Sequence, residues 1–341
     1  MIPNVCHRYV LAQRPHGKPS TQDFRWEELP CPQAPGPGEL VLETLWLSLD
    51  PYMRGRMSEG ASYVAPVALG DTMCGGTVSR VLASRDPRFE VGDRVLGMTG
   101  WCTHVRVAAD AVTRLPADDP HPSWWLGVLG MPGLTAYVGL LDIGCPQPGE
   151  TVVVAAATGP VGSTVGQIAR LKGCRVVGVA GGAEKCALAV ERLDFDACID
   201  HHADDFEAQL KDATPDGVDV YFENVGGHVL EAVVPRLNQG ARVPVCGLVA
   251  WYSQVAPASG AHPLAALMRK VLVNRVRVQG FIISDHADRH ADFQRDMQAW
   301  LQQGRIHYLE DVVEGLKAAP GALSGLLRGD NLGKLVVKVA D

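Results

Sequence analysis

The run Thr151-Val152-Val153-Val154-Ala155-Ala156-Ala157-Thr158-Gly159-Pro160-Val161-Gly162 decides how this chain folds. Residues 151–155 are uncharged and largely β-branched, the pattern of a buried strand. Val161, Val165, Ile168 and Ala169 then recur on one helical face. Between them lies a turn of small residues. A strand-to-helix turn can bind a pyrophosphate because the first helical amides lack partners and the helix dipole is positive there, provided small residues let the ligand approach. The turn reads Ala157-x-Gly159-x-x-Gly162, with alanine where a dinucleotide fingerprint has its first glycine. Pro160 suits the first helical turn but removes a donor, so Thr158, Gly159, Val161 and Gly162 frame the expected phosphate site, with the amides of Val161 and Gly162 carrying most of it. A tight connection without a ligand is the other reading of the bare motif. The uncharged run continues to Ala169, but its glycines, proline and hydroxyl residues fit strand, turn and helix better than a membrane span.

Outward from this run, strand candidates recur about every 22 residues, at 175–180, 197–199, 218–222, 241–246 and later 277–282, with helical stripes between. Leu188, Val190 and Leu193 are expected to form the core face of the second helix. Such βα alternation predicts an α/β, Rossmann-type, doubly wound parallel sheet. The first 120 residues differ, with short alternating runs such as 39–45 and 103–107 separated by proline and glycine, the signature of a β-rich barrel-like domain. The expected domains are residues 1–121 (β-rich, catalytic), 122–288 (dinucleotide-binding) and 289–341, the last returning to the first through the strand-like 334–339.

With 341 residues, 47% of them hydrophobic and 20% charged, the chain is an ordinary globular one. A net charge of −7 provides no basic field for nucleic acid. Nine cysteines without a Cys-x-x-Cys pair suit reduced thiols, and the N-terminus lacks the apolar stretch of a secretion signal, so a cytoplasmic location is expected. Dehydrogenases of this layout that use zinc need Cys, His and carboxylate ligands. Here residues 70–78 contain Cys74 without a nearby histidine and the eleven histidines are scattered, so no metal is expected; His104, His121 and His286 read as surface or satisfied polar groups.

At the end of the second strand, an NAD site would carry an acid for the ribose hydroxyls. This chain has Ala180-Gly181-Gly182, with Lys185 beginning the next helix, which favours NADP(H). A solvated helix lysine is the plainer reading of Lys185.

Several longer motifs carry a family resemblance: residues 47–57 (Leu-Ser-Leu-Asp-Pro-Tyr-Met-Arg-Gly-Arg-Met), 130–137, 156–186, Glu223-Asn224-Val225-Gly226-Gly227 and Gly329-Asp330-Asn331-Leu332-Gly333-Lys334. Over nearly its whole length the chain resembles the metal-free medium-chain dehydrogenase/reductases, specifically the prostaglandin reductase and leukotriene B4 12-hydroxydehydrogenase family of NADPH-dependent enone and alkenal reductases. The resemblance implies a GroES-like fold for the β-rich domain. It places Met131, Thr135, Phe281, Ile282 and Asn331 beside the nicotinamide, Asn224 in the cofactor cleft, and residues 246–252, from Cys246 to Tyr252, over it. It also puts His201, where the family commonly has tyrosine, near the adenosine phosphate; a protonated His201 would make NADPH affinity fall as pH rises through roughly 6–7. A homodimer, through sheet edges near Phe281, is implied as well.

The expected reaction adds hydride to the β-carbon of an α,β-unsaturated aldehyde or ketone and protonates the enolate that results. A phenol can donate to the enolate oxygen, making Tyr252, then Tyr63 and Tyr52, the catalytic candidates. Tyr52, Tyr63, Trp101, Tyr252 and Met53 would line an aromatic pocket between the domains for an apolar enone or lipid-derived carbonyl. Quinone reduction, oxidation of a secondary alcohol, and NADPH binding without turnover are the competing readings.

Overall fold

The computed structural model describes residues 2–59, 62, 64–253 and 264–341. The chain divides into two compact units, Met1–Gly127 with Glu310–Asp341, and Val128–Leu309.

The first unit is β-rich. Its central strand Glu39–Ser48 pairs antiparallel with Thr77–Ser84, with His104–Ala108 and with Lys334–Lys338, and the last of these pairs in parallel with Glu310–Glu314. The C-terminal segment is therefore an integral strand of this sheet, with Val336 opposite Ser48 and Val337 opposite Leu47. Leu47, Leu49, Met53, Trp101, Leu323 and Val337 make the core beneath it. Lys334 and Asp50 are buried there as an ion pair, with Lys334 Nζ 2.7 Å from Asp50 Oδ1 and donating also to the Leu49 carbonyl at 2.8 Å. The Ser48 hydroxyl donates to the other carboxylate oxygen.

The second unit is built on six parallel strands: β1 (Thr151–Ala155), β2 (Arg175–Ala180), β3 (Ala197–Asp200), β4 (Val218–Phe222), β5 (Leu237–Val245) and β6 (Arg277–Gly280). Their spatial order, β3-β2-β1-β4-β5-β6, is that of the Rossmann fold. All five residues of β1 are buried. Val153 and Ala155 pack in one cluster with Phe206, Leu210, Val229 and Val233 from the helices Phe206–Ala213 and Gly227–Val233, while the alternating Val152 and Val154 are equally inaccessible. A strand covered on both faces has no polar side, which is why its sequence is a continuous apolar run.

Two helices flank the first crossovers, α1 (Pro160–Leu171) and α2 (Ala183–Leu193). In α1, Val165, Ile168 and Ala169 are completely buried. In α2 Leu193 is buried as expected and Leu188 partly buried, but Val190 is 42% exposed and the residue that faces the core with Leu193 is Ala189. These residues are one helical turn apart, and alanine carries too little apolar area for a pattern of large side chains to register it.

The return to the first unit comes at Glu310, not at residue 289. The helix His290–Gln302 stays with the second unit because Tyr137 Oη donates to Asp296 at 2.6 Å, Gln294 donates to the Leu129 carbonyl at 2.6 Å, and Phe293 lies edge-on to Tyr137. Among the described residues, no helix is long and apolar enough to cross a membrane.

Candidate cofactor and active site

The sheet places its loops in three groups within the second unit. The first is the turn after β1. Ala156 takes a left-handed conformation (φ 53°), the Gly159 amide donates back to the Ala156 carbonyl at 3.1 Å, and Gly159 caps α1 with Pro160 as its first residue. Its two glycines differ in origin. A Cβ on Gly162 would lie 2.2 Å from the Ala156 carbonyl oxygen, so the close approach of helix to strand requires glycine there. A Cβ on Gly159 would meet nothing nearer than 3.5 Å. Packing does not demand the second glycine, and the space in front of it suits a ligand that must come close to the backbone. Gly159 also brings no side-chain acceptor to the first-turn amides, which leaves them to an anion.

The second group lies where β2 and β3 end. Gly182 has φ 97° and begins α2, whose first turn carries Lys185. Asp200 of β3 accepts the amides of Gly182 and His202, both at 2.9 Å. Those two amides hold its carboxyl below the usual carboxylate range. Asp200 is thus a fastener of the two loops. His201 and His202 crowd Gly181, whose Cβ would lie 3.2 Å from His201 Nε2. His201 Nδ1 is 3.2 Å from Nε2 of His228, a residue 27 positions later that sequence reading did not single out. Here the expected titration is corrected. Burial, followed by the adjoining His202 and His228, pushes His201 down to about 4, so it is neutral through pH 6–7 in the free protein.

The third group joins the end of β4 to the loop after β5. Glu223, buried and previously unremarked within its motif, accepts the amides of Val225 at 2.6 Å and Gly226 at 2.8 Å. Burial raises its carboxyl, and the backbone donors act against that rise. Its own carbonyl accepts the Cys246 amide at 2.9 Å, and the carbonyls of Asn224 and Val225 accept Val249 and Ala250. Asn224 Nδ2 donates to the Ala155 carbonyl at the end of β1 (2.8 Å). Asn224, Cys246 and Tyr252 therefore meet on one scaffold. The Tyr252 oxygen accepts the Leu248 amide at 3.3 Å, fixing the ring to its own loop. A charged residue directly after the apolar run 220–222 was the available signal for Glu223.

Met131 begins the helix Met131–Val138 with 41% of its surface exposed, and Thr135 Oγ1 donates to the Met131 carbonyl at 2.7 Å. Phe281 and Ile282 follow β6, with the Phe281 ring against Gly139.

In the first unit, Tyr52 opens the short helix Tyr52–Arg56 and is partly buried, and Asn331 Nδ2 donates to the Gly333 carbonyl at 2.7 Å. Two pocket assignments are corrected there. Trp101 and Met53 are both 0% exposed. They pack around Gly75, with Trp101 stacked on Phe24, and form core in place of a pocket wall. Tyr63 lies outside the described residues.

Residues 7–115 match a family model described as the N-terminal domain of oxidoreductase, and residues 160–303 one described as zinc-binding dehydrogenase. The chain is 56% identical over 334 residues to the NADPH-dependent curcumin reductase of Escherichia coli (strain K12), covering 98% of this chain and 96% of that one. The chain belongs to the curcumin and prostaglandin reductase family of the medium-chain dehydrogenase/reductases. Prostaglandin reductase 1 of Rattus norvegicus is 38% identical, with coverage of 97% and 98%. The crystal structure of CurA in complex with NADPH from Vibrio vulnificus superposes with a TM-score of 0.95 at 50% identity, covering 98% and 99%. The family's fold is the Rossmann-type unit with a GroES-like β-rich partner, as seen here. The zinc named in the family description does not fit these residues: Cys74, the one cysteine in its segment, sits near Arg56 with its thiol pushed up by burial. Among the described residues no three His, Cys, Asp or Glu side chains are grouped to hold a metal.

Proposed function

We propose that this protein reduces the carbon-carbon double bond of α,β-unsaturated aldehydes and ketones with NADPH. The observation that carries this reading is the turn whose Gly159 the fold leaves open, in a chain 56% identical along its length to an NADPH-dependent curcumin reductase. NADPH, when bound, supplies a hydride to the substrate's β-carbon, leaving an enolate. The amides of Val161 and Gly162 hold the pyrophosphate, and Lys185 with the Gly181-Gly182 turn receives the 2′-phosphate. Asn224, Met131, Thr135, Phe281 and Ile282 border the nicotinamide. Tyr252 donates a hydrogen bond to the enolate oxygen, stabilising charge that exists only after hydride arrives, and a proton then reaches the α-carbon. Product analysis across an enone, a quinone and a saturated ketone tests the reading; consumption of NADPH only with the quinone or the saturated ketone would overturn it.

Two substitutions separate binding from chemistry. Lys185→Glu is expected to raise the KM for NADPH at least tenfold while leaving that for NADH nearly unchanged, because it repels only the cofactor with the extra phosphate. Equal effects on both would remove Lys185 from the phosphate site. Tyr252→Phe is expected to lower kcat at least tenfold, about 1.4 kcal/mol of transition-state stabilisation, with NADPH affinity nearly constant. Unchanged kcat would assign the proton to solvent or the cofactor ribose.

We further propose a cytoplasmic homodimer. Edge strand β6 has all four residues exposed, and Met268, Leu272 and Val273 of the helix Leu264–Asn274 beside it are exposed as well. An unpaired edge beside apolar side chains is what a second copy would cover. Sedimentation at micromolar concentration, with Val278→Lys as comparison, should show a dimer that the variant loses.

A further inference from the structure

Three imidazoles lie at the loops that end β2 and β3. The His201 amide donates to the Ala180 carbonyl at 3.0 Å, which holds this residue beside the Gly181-Gly182 turn. Its ring is tilted against His202, with centroids 4.1 Å apart, and against His228, with centroids 5.1 Å apart. His228 comes from the first turn of the helix Gly227–Val233, and its ring stands edge-on to Phe206 at 6.0 Å. One nitrogen of His228 makes two contacts. Its Nε2 is 3.2 Å from His201 Nδ1 and 3.2 Å from the His201 carbonyl oxygen. A carbonyl oxygen can only accept, so His228 Nε2 must carry a hydrogen and donate it. A ring nitrogen that carries a hydrogen has no lone pair in the ring plane with which to accept from His201. His201 Nδ1 therefore accepts the same hydrogen, in a three-centre bond, and is itself unprotonated. Burial, with His202 and His228 close by, keeps the His201 ring uncharged. A neutral imidazole without a proton on Nδ1 carries it on Nε2. That nitrogen faces the cofactor loop: it lies 3.2 Å from where a Cβ on Gly181 would stand.

We propose that His228 is a positioning residue for cofactor selection: by donating to His201 Nδ1 it holds that ring in the tautomer and orientation whose Nε2–H faces the Gly181-Gly182 turn, where a 2′-phosphate oxygen accepts it. The opposite tautomer would turn a lone pair toward a dianion, and the same ring would then repel the phosphate. A donor held in place adds affinity only for the cofactor that has an acceptor to meet it, so its effect falls on NADPH and spares NADH. His201 thus keeps a part in phosphate recognition while uncharged. His228 touches the cofactor nowhere in this scheme and acts through His201. The tautomer belongs to the free protein; its use toward phosphate rests on the proposed role of NADPH.

The test labels the histidine ring nitrogens of the full-length protein and reads the tautomer of His201 by NMR at about pH 8, above the usual histidine titration range, with His201→Phe identifying its signals. The Nε2–H form is expected in the parent and in His228→Gln, whose side-chain amide can donate from a similar position. His228→Phe should lose that preference. NADPH and NADH affinities are then measured on the same proteins by cofactor fluorescence. His228→Phe is expected to weaken NADPH binding about fivefold with NADH nearly unchanged, and His228→Gln to bind both as the parent does. In a His201→Phe background, His228→Phe should weaken NADPH no further, because the residue it positions is gone. A parent with the proton on Nδ1, a His228→Gln variant as weak as His228→Phe, or losses that add in the double variant would each overturn the proposal. A parent that has the expected tautomer and fails to bind NADPH overturns the cofactor reading instead. Melting curves establish that the variants are folded.

Discussion

Lys334→Met is expected to destabilise the β-rich unit by about 3–5 kcal/mol, because it takes the ammonium away from the buried Asp50 carboxylate. The reason lies in the packing. Lys334 is 1% exposed, its ammonium is shared between Asp50 Oδ1 and the Leu49 carbonyl, and the remaining carboxylate oxygen is taken by Ser48. Removing one charge preserves the desolvation cost of the other and withdraws its compensation. Adding Asp50→Leu and Ser48→Ala to Lys334→Met removes the stranded polar atoms and should recover most of the loss. Denaturant unfolding of the single and triple variants measures both. A single variant within about 1 kcal/mol of the parent, or a triple variant no better than the single, would show that this pair is not isolated from solvent as its burial implies.

The second large effect concerns the two glycines of the β1–α1 turn, which should fail in different ways. Gly162→Ala puts a methyl 2.2 Å from a backbone oxygen and 2.9 Å from its carbon, neither of which can rotate aside. The turn must open, with an expected loss of about 2–3 kcal/mol of stability and an NADPH affinity about a hundredfold weaker. Gly159→Ala meets only an ordinary contact at 3.5 Å, so its melting temperature should stay near the parent's. Its methyl occupies the space assigned to the pyrophosphate, and NADPH affinity should still fall at least tenfold. Tight NADPH binding by Gly159→Ala would mean that the cofactor does not approach this face, and the assignment of the turn would be lost.

Much of the fold was legible because its signals are local. Continuous apolar runs such as 151–155 can satisfy their backbone only in a sheet covered on both sides, and their alternation with helices leaves few connections to choose from. The misses depend on what a side chain meets across the fold. Trp101 and Met53 read as lining of an apolar, aromatic pocket, yet Gly75 lets them close on one another as core. The neutral state of His201 depends first on its burial, then on His202 beside it and on His228, brought near by a different loop. The role of Glu223 is not legible in the chain, since only the fold brings the amides of Val225 and Gly226 onto its carboxylate. Residue 289 seemed a plausible return point because the partners of the helix His290–Gln302, among them Tyr137, lie 159 positions away at the Asp296 contact.

The discontinuous first unit also sets an order for biosynthesis. Asp50 leaves the ribosome 284 residues ahead of its partner Lys334. At typical elongation rates of about 5–20 residues per second, it waits roughly 15–60 s. The contiguous unit Val128–Leu309 can complete its sheet in that interval, whereas strand Glu39–Ser48 still lacks the neighbour Lys334–Lys338. A nascent chain arrested before residue 334 should therefore present a protease-resistant second unit and a cleavable first one, with chaperones engaging the open sheet until the final strand arrives.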